Sequence, residues 1–143
     1  MESIKPLTPK YDVAVSRDEG LGEIFYQRML ADPSAVAIVD EQGQSLTYKA
    51  LHERATELAQ GLTREAFTLE ERVGIVVQHG LLDAVTQVAV IYAGGTCVPL
   101  DPLLPDHQVT NRLGQLGTRY VLVDEANTKR DLPFVLLPVG KLL

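Results

Sequence analysis

Two periods of apolar residues alternate along the chain, and they predict its elements in order. Ile24, Phe25 and Met29 begin a helical pattern from Leu21 that stops near Asp32-Pro33, because the residue before proline disfavours the helical region. The β-branched run "AVAIVD" (35–40), the turn "EQGQ" and Ser45-Leu46 predict two short strands. Thr47 stands where a helix N-cap belongs, its hydroxyl placed to accept an otherwise unpaired backbone N–H. Beyond it Leu51, Ala55, Leu58, Ala59 and Leu62 fall at helical spacing, with Glu53, Arg54, Glu57 and Gln60 turned outward, so an amphipathic helix is expected over 47–66.

The second half has the other period. "RVGIVVQ" (72–78) is apolar on both alternations, as in a strand covered on two faces. A helix over Leu82–Ala93 is ended by Gly94-Gly95, since glycine accepts the positive φ that closes a helix. The strand "TCVPL" (96–100), a proline-rich corner, a helix over 106–116 and the strands "RYVLVD" (119–124) and "FVLLPV" (134–139) follow. Pro99 removes a backbone donor, which places its strand at an edge or an irregularity. Strands alternating with helices of this length imply parallel crossovers, hence a layered α/β domain with a mostly parallel sheet flanked by helices. Residues 1–20 read as an extended arm and 21–143 as the domain.

Composition narrows the function classes. The 143 residues are 45% hydrophobic and 22% charged, enough for one core. A net charge of −6 argues against nucleic acid or an anionic membrane, which both call for clustered Lys and Arg. Cys97 is the single cysteine, which excludes an intrachain disulfide and fits a cytoplasmic protein. The first twenty residues lack the apolar core of a signal peptide, and no apolar stretch is long enough to span a bilayer. No spacing of His, Cys and carboxylates suggests a metal site, and no cofactor is expected.

Four segments in order, "SLTYKAL" (45–51), "RVGIVV" (72–77), "IYAGGTCVPLDPLLP" (91–105) and "RYVLVD" (119–124), resemble the opening of an adenylation domain of nonribosomal peptide synthetases, within the adenylate-forming superfamily. The first is similar to that family's L-T-Y-x-E-L and the third to its L-K-A-G-x-A-Y-V-P-L-D-P-x-x-P. The resemblance implies the fold of the first subdomain of adenylate-forming enzymes. There are departures: Gln78-His79-Gly80 replaces a polar pair, Tyr92 replaces a lysine, Cys97 stands where an aromatic is common, and Asn111 and Leu116 also differ. The resemblance further implies a Ser/Thr/Gly-rich phosphate loop ending in Lys-Gly and a later catalytic lysine. The glycine-bearing segments "LGQLGTRY" and "VGKLL" do not supply such a loop, so adenylation by this chain alone is not expected.

Ligands in open α/β sheets collect beyond the carboxyl ends of the strands. His79, Asp101 and Asp124-Glu125 each follow a strand and are the candidate ligand-binding residues, His79 with the carboxylates being capable of acid–base work. The plainer reading is a solvated loop histidine, a turn-capping aspartate and a strand-end aspartate. Cys97 reads as a small core residue, and His52 and His107 as exposed helix positions. Three functional readings stay open. The chain self-associates as a homodimer or binds a complementary synthetase polypeptide, with "FVLLPVGKLL" as a candidate pairing edge; it is a small enzyme or metabolite-binding protein using the rim near His79; or it is part of a longer protein.

Overall fold

A computed structural model describes residues 20–64 and 71–141. Apart from Gly20, the arm expected over 1–20 lies outside the described residues, as do the last positions of the helix expected to reach 66 and the two final leucines. The elements in order are α1 (Leu21–Ala31), β1 (Val36–Val39), β2 (Ser45–Thr47), α2 (Tyr48–Arg64), β3 (Arg72–Val76), α3 (Leu81–Tyr92), β4 (Thr96–Pro99), α4 (Asp106–Gly114), β5 (Tyr120–Val123) and β6 (Val135–Pro138).

Four strands form one parallel sheet in the order β4-β3-β5-β6, and β1 and β2 form a separate antiparallel pair. The short turn at 40–44 dictates the antiparallel hairpin, since a parallel pair needs a long crossover. Asp40 organises that turn by accepting the backbone N–H groups of Gln42 and Gln44. The parallel sheet is covered on both faces. On one, α2 and α3 pack Leu58, Leu62, Val85 and Val90 against Val73, Ile75 and Leu122. On the other, α4 packs Val109 and Leu113 against Val76, Val121 and Val123. Each large aliphatic side chain so buried contributes ~1.5–3 kcal/mol.

Local chemistry sets the joints. The Thr47 hydroxyl accepts the Ala50 N–H at 3.1 Å, the capping bond expected at the start of α2. Gly94, at φ 87°, closes α3: its N–H donates to Ile91 O, and that of Gly95 to Val90 O. These two bonds make a Schellman motif and satisfy carbonyls the helix would leave unpaired. α4 stops at Gly114, two residues short of the expected end, because Gly117 turns the chain at φ 68° and Thr118 N–H returns to Leu113 O. Pro99 lies on β4, an edge strand, where its missing donor is harmless. Gly74 in central β3 lies under Leu113, whose Cδ1 would stand 2.6 Å from any added Cβ.

His52 corrects its expected exposure. It is half-buried between α1 and α3, with its Nδ1 2.8 Å from the Tyr92 hydroxyl and its ring against Tyr26. Burial, helped by the neighbouring Tyr26, pushes the Tyr92 phenol up to about 12, so that it keeps its proton. Tyr92 thus joins an aromatic cluster with Phe25 that fixes α1 to the body. His107 is exposed, as expected. No helix among the described residues is long and apolar enough to cross a membrane.

Candidate functional site

Strand order locates the natural crevice. From β3 the chain crosses to β4 on one side, and from β5 it moves to β6 on the other, so the connections diverge between the carboxyl ends of β3 and β5. The residues at these ends are Gln78 and Asp124, and they are joined. Asp124 Oδ2 accepts the backbone N–H of Gln78 at 2.9 Å, while its Oδ1 accepts the Asn127 amide at 2.6 Å. Both carboxylate oxygens are therefore engaged in holding loops, and the bond bridges the divergence point.

The open space lies to one side of it. A groove of about 950 Å³ runs between the β1–β2 hairpin, the start of α3 and the corner after β4. Apolar side chains from Ile38, Val39, Ala84, Val88, Ile91 and Leu103 line it, and Glu41, Asp83 and Asp101 supply carboxylates beside the His79 imidazole. Of the residues predicted from sequence, His79 and Asp101 share this groove, and Asp124 does not line it. Glu125 is exposed in the turn after β5 and does not line it either.

His79 Nδ1 stands 3.4 Å from Asp83 Oδ2, one helical turn on, and its side chain is 78% exposed. Asp83 also accepts the Gln87 amide at 3.1 Å. Asp101 Oδ1 accepts the Leu103 N–H at 2.9 Å, and its carbonyl accepts the Leu104 N–H, so it organises its own turn. Asp83 and Glu41 escaped the sequence reading. Asp83 carried a signal, an acidic residue in the first turn of a helix opening beyond a strand end; Glu41 carried none beyond its place in a turn.

A second set of bonds builds the corner. The largely buried Arg130 guanidinium donates to Asp106 Oδ1 at 2.7 Å, to Pro102 O at 3.0 Å, to Asn127 Oδ1 at 3.3 Å and to Leu104 O. With the Asp131 N–H, it holds the Asp106 carboxyl below the usual carboxylate range. Asn127 thus links the Asp124 bridge to the Arg130 clamp. Arg130 escaped the sequence reading, because its partners on the corner, Asp106, Leu104 and Pro102, lie 24 to 28 residues away.

Cys97 is half-buried against the core, its Sγ 3.2 Å from Gln87 O. Burial first, and then the charge of Asp83, push its thiol up to about 11, the opposite of an activated nucleophile. No group of three or more potential metal ligands occurs among the described residues.

Comparison with known proteins assigns a pedigree to this arrangement. Residues 25–139 match the family described as AMP-binding enzyme. The chain is 58% identical over 132 residues to a nonribosomal peptide synthetase of Aspergillus hancockii, covering 92% of the chain and 13% of the relative. It is 52% identical over 125 residues to an aldehyde reductase of Aspergillus flavus, covering 87% of the chain and 12% of the relative. The chain thus spans about an eighth of the length of these relatives. Among solved structures, the N-terminal subdomain of Klebsiella oxytoca NpsA superposes with a TM-score of 0.79 at 21% identity, over 87% of this chain and 32% of that one.

Proposed function

Because the chain belongs to the AMP-binding enzyme family, we propose that it is a scaffold segment of adenylation machinery in natural-product biosynthesis that acts in the cytosol by associating with other synthetase polypeptide. By itself it does not adenylate. Its 143 residues hold no Ser/Thr-Gly run ending in Lys-Gly to cradle a triphosphate. Two relatives that share this segment at above 50% identity carry different names, a peptide synthetase and a reductase. A segment common to both supports a structural contribution, with the chemistry residing elsewhere in those longer proteins.

The observation that carries this reading is the apolar surface beside the strand ends. Leu103 is 90% exposed and Val39 57% exposed, and both border the same groove. Two apolar side chains exposed together on one groove support a contact there. A second copy of the chain is the other partner this reading admits, supported by the outer edge of β6, which pairs with no further strand among the described residues and where Val135 is 52% exposed. The test mixes the chain with the fungal synthetase deleted for its matched residues, with native mass spectrometry as the readout. A complex, or a homodimer of the chain, supports association. A clean monomer in the mixture defeats it, and so does pyrophosphate exchange with ATP by the chain unaided.

A second reading is a small-metabolite site in the same groove, favoured by its volume and by His79 and Asp101 on its walls. It predicts a bound small molecule that His79→Ala releases. With Asp124 committed to Gln78 and Asn127, that site lacks one of its expected carboxylates.

A further inference from the structure

We propose that the groove is a docking site for a basic amphipathic helix of the partner polypeptide, anchored on Leu103 and rimmed by Glu41, Asp83 and Asp101. The inference rests on the associative function proposed above and names the chemistry of the partner. Its starting point is the way Leu103 is held. The Leu103 N–H is fixed to Asp101 Oδ1, and the carbonyls on either side, those of Pro102 and Leu104, are both bonded by Arg130. The backbone is clamped around a side chain that remains 90% exposed. An apolar anchor set in place before binding loses little conformational freedom on contact, which is how a few residues come to dominate an interface. The far wall is held just as firmly, through the bond from Gln78 to Asp124.

Charge selects the occupant. Three carboxylates line the groove, and among its described lining residues there is no Lys or Arg, His79 being the one basic side chain. A segment bearing Lys or Arg beside an apolar face would bring opposite charge to the rim and apolar side chains to Ile38, Val88 and Ile91. A second copy of this chain, at net charge −6, would bring like charge to an acidic rim.

The test uses the full chain and two fluorescent amphipathic helical peptides with the same leucine face, one with lysine at its polar positions and one with glutamate. Fluorescence anisotropy is expected to show the lysine peptide binding at least about tenfold tighter, a preference that shrinks with added salt. Leu103→Ser, at a surface position, is expected to weaken the lysine peptide by about tenfold, and Glu41→Lys to erode the preference. Equal binding of the two peptides, or affinities untouched by both substitutions, overturns the proposal. A homodimer abolished by Leu103→Ser also overturns it, by making a second copy the occupant. A synthetase complex that survives Leu103→Ser overturns the groove while leaving the associative function standing. The absence of any complex with the wild-type chain, or unaided ATP turnover, removes the function itself.

Discussion

Asp124 accepts the backbone N–H of Gln78 at 2.9 Å, across the gap between the carboxyl ends of β5 and β3. One side chain thereby fixes the exit of the central strand and turns a candidate ligand carboxylate into a structural brace. Replacing it by alanine strands the Gln78 donor and the buried Asn127 amide together. The expected loss is ~1–3 kcal/mol of unfolding free energy, since an unpartnered buried polar group costs about that much. Urea denaturation reads it as a lower midpoint at unchanged slope. An unchanged midpoint would show that the brace carries no weight.

The clamp at the proline corner gives a pH signature. Asp106 is held below the usual carboxylate range by Arg130 and the Asp131 N–H, so its folded pKa lies under its unfolded one. Its contribution is therefore complete above the ordinary aspartate value of about 3.9 and disappears as pH falls through the lowered folded value. Asp106→Asn is expected to lower stability at neutral pH and to flatten the acid limb of a stability–pH profile. Parallel profiles for the two proteins would assign the acid sensitivity elsewhere.

Gly74 is required by the side chain above it. An alanine Cβ would meet Leu113 Cδ1 at 2.6 Å and Val121 Cγ2 at 3.3 Å in a packed core. Gly74→Ala is expected to cost ~1–3 kcal/mol through overpacking. Combined with Leu113→Ala it should cost less than the sum of the single changes, because the cavity admits the methyl. Strict additivity in thermal or chemical denaturation would contradict the contact.

Cys97 should resist thiol reagents. With its thiol raised to about 11 by burial and by Asp83, its thiolate is scarce near neutrality. Alkylation by iodoacetamide at about pH 8 is expected to run roughly a hundredfold slower than for free cysteine. Asp83→Asn should quicken it, by removing the second cause. A rate matching free cysteine would place the sulfur in an open setting.

Elements governed by neighbours in sequence were legible before the structure. The Thr47 cap, the Gly94 helix end and the α/β layering follow from local rules, and Pro99 narrowed its strand to an edge or an irregularity. What escaped depends on strand order. That Gln78 would meet Asp124 requires knowing that β3 and β5 are neighbours, and strand periodicity does not state adjacency. Arg130 was silent for the same reason, its partners lying on a corner that α4 and β5 separate from it in the chain. His52 looked like a solvated helix position because α1, which covers it, arrives from earlier in the chain. The groove combines the hairpin, α3 and the β4 corner, and only the assembled fold unites Glu41 with Asp101.

We propose association through the groove in place of independent catalysis. It is tested most directly by sedimentation velocity of the full chain with the fungal synthetase deleted for its matched residues, comparing wild type with Leu103→Glu. A one-to-one complex is expected for the wild-type chain and none for the glutamate variant, since the charge would enter an acidic groove. A chain that sediments as a monomer in both mixtures would contradict it.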